Sequence, residues 1–250
     1  MNRISKFARI AKGVRMGVGN VIGENVYIGK NVILGNNNKF YPNTRICPNV
    51  EIGDGNVFLE NNTIGDQAVL STAVFTEKKY NGVTIGNNNL FYFENRVDSG
   101  SSGKTQIGSS NKFLSGVHVG HDTYIGDHVY IYPKVLISGY STLLDYCGIG
   151  TLAGVQQRTV VGSYSFVGMV TASTSHKFPF YIYIGNKPVR LNLKRCPDGI
   201  TAHKDSLDLL CSSHSKMNKR EYYNAIEQYP DEFRAPLVEF FERTLPNTAM

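Results

Sequence analysis

The tightest constraint on this chain is a large apolar residue at every sixth position. Counting from Ile4, the positions read Ile4, Ile10, Met16, Ile22, Ile28, Leu34, Phe40, Ile46, Ile52, Phe58, Ile64 and Leu70. With 41% hydrophobic residues, chance gives such a run in about one register in 40,000. The beat returns at Ile85, Phe91 and Val97, and again from Ile107 through Val167, for 26 hexads altogether. Glycine often follows the apolar residue, as at Gly23, Gly29, Gly120, Gly126 and Gly150. A weaker beat lies four residues after each apolar position. From Thr123 to Thr171 it holds only small or β-branched residues, among them Val129, Ser141, Cys147 and Ala153.

Neither a helix nor an isolated strand repeats every six residues. A coil with short flat faces does, each hexad supplying one short strand and one corner. Side chains alternate across a strand, so two positions per hexad point inward. The large residue fills the interior, the small one lets the chain turn, and glycine is expected to relax the backbone at the bend. Each coil buries its face only against neighbouring coils.

This pattern resembles the hexapeptide-repeat left-handed parallel β-helices, whose coils hold three hexads. The resemblance implies between eight and nine coils. It also implies the left hand, against the general preference for right-handed crossovers. Two polar, Gly/Ser-rich and basic interruptions, near 71–84 and 98–106, are expected to project as loops beside a binding face. The β-helix is assigned to 1–185 and a C-terminal α-helical domain to 186–250. The tail carries helical texture from Ile200 onward and is expected to cover the open end of the coil.

The net charge of +6 and pI near 9.0 point to an anionic partner. No block of Lys and Arg interleaved with aromatics marks nucleic acid. Cys47, Cys147, Cys196 and Cys211 have no zinc-knuckle or redox spacing, which fits a reducing compartment. The basic start MNRISKFARIAKG lacks the apolar stretch of a secretory signal, and no run suits a spanning helix. The expected location is the cytoplasm, without membrane insertion.

The segment VHVGHDTYIGDHV holds His118, His121 and His128. His121 follows the inward Val119 by two, so it belongs on an outer corner. Asp122 beside it can orient the imidazole, and a carboxylate-supported imidazole is a fair general base. The alternative for His121 is an ordinary exposed loop histidine.

GVHVGHD, LISGY, AGVQQ, IGNKPVRLN and QYPDEFRAPLVEFFERT together resemble the UDP-N-acetylglucosamine O-acyltransferases of lipid A biosynthesis. That resemblance implies an enzyme moving a fatty acyl group from acyl carrier protein to the 3-hydroxyl of UDP-N-acetylglucosamine. It implies His121 as general base, Asp122 as its orienting partner or a sugar contact, and the Gly139 N–H as oxyanion donor. Substrate contacts are implied at Lys79, His118, Tyr140, Gln156, Gln157, Asn186, Asn192 and Arg195. A homotrimer with its groove between subunits is implied, with no metal and no bound cofactor. The donor group is the acyl-phosphopantetheine of the carrier protein. Met169 stands where the family sets the depth of its acyl channel, which points to a medium chain. Tyr140 and Gln156 replace family histidines, and Asp98 stands near another. Three alternatives stay open: a related nucleotide-sugar N- or O-acyltransferase with another sugar or an acetyl-CoA donor, a γ-type carbonic anhydrase-like zinc protein using the three histidines, and an inert scaffold.

Overall fold

The computed structural model describes residues 1–68 and 80–244. From Arg3 to Ser173, 26 strands of mostly two residues wind into a three-sided parallel solenoid. Every third strand pairs with the one beneath it. Arg3 lies over Val21, Arg9 over Tyr27 and Arg15 over Ile33, an 18-residue register that persists except across the two insertions. The three sheets hold 11, 9 and 8 strands. Their first strands are Arg3–Ile4, Arg9–Ile10 and Arg15–Met16.

The six-residue beat is the interior of this coil. Ile28, Ile46, Phe58, Ile64, Phe91, Val119, Ile137 and Val167 are all fully buried. Phe40, Phe58, Phe91 and Phe113 stack face to face, with centroids 5.1, 4.7 and 4.3 Å apart. The second beat is buried as well. In the lower coils it carries an asparagine ladder, in which the Asn20, Asn38, Asn56 and Asn89 side-chain carbonyls accept the backbone N–H of the residue one coil on. Leu70 lies outside the described residues.

The hexad glycines act differently from the expectation. Most have negative φ, and the left-handed corner position belongs to other residues: Asn25, Asn31, Asn37, Asn43 and Asn49 below, Asp122, Tyr140 and Arg158 above. Asparagine and aspartate tolerate that conformation best among residues with a Cβ. The hexad glycine is required by the next coil instead. A Cβ at Gly29 would sit 2.7 Å from the Pro48 nitrogen, and one at Gly150 would sit 2.7 Å from the Met169 nitrogen.

The strands continue past the 185/186 boundary drawn from the sequence. Tyr181–Ile184 and Lys187–Leu191 form an antiparallel hairpin on the end of the first sheet. Among the described residues three α-helices follow, α1 (Lys204–Ser213), α2 (Lys219–Ile226) and α3 (Asp231–Thr244). They pack on the flank of the last coils, where Leu144 and Val160 share a core with Phe178, Phe180, Leu237 and Phe240. The end of the solenoid interior is closed by Lys177. Its backbone pairs with Val161, and its buried ammonium donates to the Ser175 carbonyl at 2.6 Å and Asn186 Oδ1 at 2.8 Å. Burial pushes this ammonium down to about 8.

The glycine contacts lead to a paired expectation. Gly150→Ala should lower stability by about 1–3 kcal/mol through overpacking. Gly154→Ala, where a Cβ meets nothing within 4 Å, should shift it by less than about 0.5 kcal/mol. Thermal unfolding of both variants measures the contrast.

Candidate functional site

His121, Asp122, Gly139 and Tyr140 come together at the corner between the second and third sheets. The coil register stacks Asp122, Tyr140 and Arg158 in one column, and His121, Gly139 and Gln157 in the next. The Tyr140 N–H donates to the His121 carbonyl at 2.9 Å, and the Arg158 N–H to the Gly139 carbonyl at 3.3 Å. A side chain at Gly139 would place its Cβ 2.7 Å from His121 Nε2. The glycine therefore makes room for the imidazole one coil below. Its own N–H has no acceptor among the described residues.

The second insertion folds onto this corner. Asp122 Oδ2 accepts the Ser101 N–H at 2.8 Å and the Ser101 hydroxyl at 2.6 Å. Asp122 Oδ1 accepts the Ser102 N–H and hydroxyl, both at 3.0 Å, and the Gly103 N–H at 2.7 Å. Burial alone would raise this carboxyl. The bonds from the Ser101 hydroxyl, the Gly103 N–H, His121 and the Ser101 N–H outweigh it and hold the group well below the usual carboxylate range.

That charge decides the histidine tautomer. His121 Nδ1 lies 2.7 Å from Asp122 Oδ2. An ionised carboxylate only accepts, so Nδ1 carries the proton and Nε2 of the neutral ring keeps its lone pair. His121 is only 8% exposed, an outward residue nearly covered by its neighbours. The Tyr140 ring stands edge-on to it at 5.1 Å, and its hydroxyl lies 3.2 and 3.3 Å from those of Ser101 and Ser102. The Arg158 guanidinium sits 4.7 Å over the Tyr140 ring.

The other expected residues divide into two groups. His118 lies near the same corner, on the outer face of the second sheet. Its Nε2 is 3.1 Å from Asp98, which also pairs with Arg96. Gln156 and Gln157 are exposed beside Gly139 in the register. Met169 is exposed on the last coil, at the corner before the second sheet. Asn186, Asn192 and Arg195 are engaged within the protein. Asn186 holds Thr174 and Lys177, Asn192 donates to the Tyr164 carbonyl, and Arg195 donates to the carbonyls of Tyr146 and Cys147. Lys79 lies outside the described residues.

His128 sits on a different corner, stacked on Tyr146 at 4.7 Å, which stacks in turn on Tyr164. His128 thus stands apart from His118 and His121 in one chain. All four cysteines are free thiols. Burial pushes Cys47 and Cys211 up to about 11, and Cys147 and Cys196 up to about 12. None is a ready thiolate for covalent acyl transfer.

Comparison with known proteins follows the same lines. The family described as bacterial transferase hexapeptide (six repeats) matches residues 104–139, which include His121, Asp122 and Gly139. The chain is a left-handed hexapeptide-repeat β-helix. It is 31% identical over 127 residues to the acyl-[acyl-carrier-protein]–UDP-N-acetylglucosamine O-acyltransferase of Aliivibrio fischeri, covering 47% of this chain and 48% of that one. It is 30% identical over 139 residues to the enzyme of the same name from Burkholderia lata, covering 51% and 53%. The match thus spans about half the length of these curated relatives. Among solved structures, the UDP-N-acetylglucosamine acyltransferase of Bacteroides fragilis has a TM-score of 0.81 at 24% identity, covering 95% of this chain and 96% of that one. That of Francisella novicida has a TM-score of 0.77 at 22% identity, covering 96% and 88%. These two likenesses establish the fold of this β-helix along nearly its entire length.

Sequence reasoning missed Ser101, Ser102, Gly103 and Arg158. The 18-residue spacing from Asp122 through Tyr140 points to Arg158. The loop serines lie in an interruption, where no period places them.

The carboxylate network sets a stability expectation. A carboxyl held below its unfolded pKa adds stability that is present above about pH 4 and fades as pH falls toward the folded value. Asp122→Asn should therefore cost about 1.5–3 kcal/mol at neutral pH. Denaturant titrations should show the gap from wild type narrowing progressively below about pH 4.

Proposed function

We propose that this chain is an acyltransferase that moves a fatty acyl group from acyl carrier protein to the 3-hydroxyl of UDP-N-acetylglucosamine. The observation carrying this reading is the His121–Asp122 pair with Gly139 against Nε2, within the segment matched by the hexapeptide transferase family. His121 Nε2 takes the proton of the sugar hydroxyl as its oxygen attacks the thioester carbonyl. The Gly139 N–H donates to the oxyanion of the tetrahedral intermediate. Collapse breaks the carbon–sulfur bond, and the imidazolium returns its proton to the departing thiolate. Acyl ester and free carrier thiol result, with no covalent enzyme intermediate. Asp122 steadies the imidazolium throughout.

The surface above His121 suits an acyl chain. Leu136, Leu152, Met169 and Val170 are all exposed. Leu136, Gly154 and Ala172 share one outward column of the second sheet. The Val170 N–H donates to the Thr151 carbonyl, so Leu152 and Val170 occupy one bordering corner. A contiguous exposed apolar lane marks an apolar ligand or a partner. A second subunit on this lane would enclose the acyl chain, in keeping with a homotrimer. The net charge of +6 favours encounter with an acidic carrier protein. Among the described residues, no helix is long and apolar enough to cross a membrane, which accords with work in the cytoplasm. The chemistry drawn here needs neither metal nor bound cofactor. Tyr140 and Gln156 in place of histidines bear on the sugar and diphosphate contacts, so the acceptor is the part to test first.

Mass spectrometry of products from acyl carrier proteins of graded chain length with a panel of UDP-sugars tests the assignment. UDP-N-acetylglucosamine should be acylated on oxygen, and His121→Ala should lower kcat by about 10²- to 10⁴-fold with the fold retained. Acylation of another sugar, or on nitrogen, would reassign the acceptor while leaving the roles of His121 and Gly139 in place.

Met169 is expected to shorten the acyl lane, favouring a chain of about ten carbons, since each unburied methylene forfeits about 0.8 kcal/mol. Met169→Gly should move the preference toward longer chains in the same assay. An unchanged chain-length profile would remove Met169 from the substrate path.

A further inference from the structure

The first coil differs from every coil above it. Ile4 and Ile10 are 47% and 37% exposed, whereas Ile22 and Ile28, one coil on, are buried. Its three strands are the terminal edges of the three sheets, and among the described residues nothing covers them. Phe7, on a corner of the same coil, is 55% exposed with the Lys6 ammonium 5.0 Å from its ring centroid.

Around this apolar floor stand Arg3, Lys6, Arg9, Lys12 and Arg15, all exposed. Arg3, Arg9 and Arg15 project from the three faces, because their neighbours Ile4, Ile10 and Met16 hold the inward positions. Lys6 and Lys12 occupy the two corners between. Among the described residues none of the five forms a salt bridge. The first acidic residue in the sequence is Glu24. The five account for most of the net charge of +6, since elsewhere 21 cations face 20 acids.

Lysines along a sheet edge commonly block edge-to-edge pairing. That purpose does not call for an exposed phenylalanine and two exposed isoleucines among them. A floor of apolar side chains ringed by cations, with no acid in the ring, has the charge and polarity profile of a surface for anionic lipid. Cations meet headgroup phosphates, and apolar side chains reach the headgroup–acyl boundary.

We propose that the N-terminal coil is a peripheral docking surface for an anionic phospholipid bilayer, with the solenoid standing upright on it. Arg3, Lys6, Arg9, Lys12 and Arg15 bind headgroups, and Ile4, Phe7 and Ile10 touch the acyl boundary. Five strand pairings separate Arg9–Ile10 from His118–Val119 along the second sheet. At about 4.8 Å each, this lifts the His121 corner roughly 24 Å above the surface. The docking is therefore independent of the chemistry proposed for that corner.

Cosedimentation of the full chain with vesicles tests this. It should bind phosphatidylcholine vesicles containing one-third phosphatidylglycerol, be released by high salt, and ignore pure phosphatidylcholine. The variant R3Q/K6Q/R9Q/K12Q/R15Q should bind about tenfold or more weakly. Phe7→Ser, a change at an exposed corner, should also weaken binding, while K219Q/R220Q on the helical domain should not. Circular dichroism, and kcat at saturating carrier protein in vesicle-free buffer, should be unchanged in all variants, since loss of charge slows encounter and not the chemical step; this separates failure of docking from failure of the enzyme reading. Absence of wild-type binding, equal binding to neutral vesicles, or full binding by the five-fold variant would overturn the proposal. Loss of carrier-protein binding in that variant, with vesicle binding intact, would overturn it too and assign the rim to an acidic protein.

Discussion

Everything in this molecule depends on how closely one coil lies on the next. Backbone-to-backbone hydrogen bonds of about 2.8 Å, such as Gly29 N–H to the Ile46 carbonyl, hold the coils at strand spacing on all three sides. At that spacing a residue 18 positions on becomes a contact neighbour. A Cβ cannot fit at the position following many inward residues, which is why glycine recurs there. The same closeness presses the His121 ring against Gly139 and lines up Asp122, Tyr140 and Arg158. The site is thus a local use of the constraint that builds the rod.

Much of this was legible in the sequence. The apolar beat marked the interior residue by residue, and every counted hexad but Leu70, which lies outside the described residues, falls on a coil strand. The outward corner place of His121, with Asp122 beside it, was legible from its offset to the inward Val119, whereas Gly139 came only with the resemblance. What was not legible lies where the period fails. Ser101, Ser102 and Gly103 come from an insertion, and nothing in a polar, glycine-rich stretch says which carboxylate it will wrap. The role of the hexad glycines was also misjudged, because intercoil distance cannot be read from one coil alone. Asn186, Asn192 and Arg195 show a further limit. Resemblance carried them over as substrate contacts; in the structure Asn186 bonds Thr174 and Lys177, while Asn192 and Arg195 bond backbone carbonyls of the last coils, contacts that no period in the sequence foretells.

The insertion at 99–104 and the corner at 121–122 make sense only together. A histidine on an outer corner of a bare solenoid would be solvated and free to rotate. Ser101 and Tyr140 remove that freedom, leaving the ring 8% exposed. Asp122 holds the Nδ1 proton in place only as a carboxylate, although it is itself covered. Its bonds from Ser101, Ser102 and Gly103 keep it ionised by supplying donors to both oxygens.

Asp122 therefore answers three demands at once. It occupies the left-handed corner position at φ 56°, where a short polar side chain is tolerated better than most. It anchors the loop that shields the site, and it directs the proton to Nδ1 so that Nε2 keeps its lone pair. Asparagine would satisfy the corner and some of the loop bonds, but it would leave the imidazole without a charge partner when protonated. Glutamate would keep the charge but move it by a methylene away from donors placed at 2.6–3.0 Å. Tyr140 extends the same logic. With its hydroxyl in reach of Ser101 and Ser102 and Arg158 over its ring, it braces the loop from the next coil. A phenol at this position adds packing against the imidazole and a hydrogen-bonding group within reach of the loop serines.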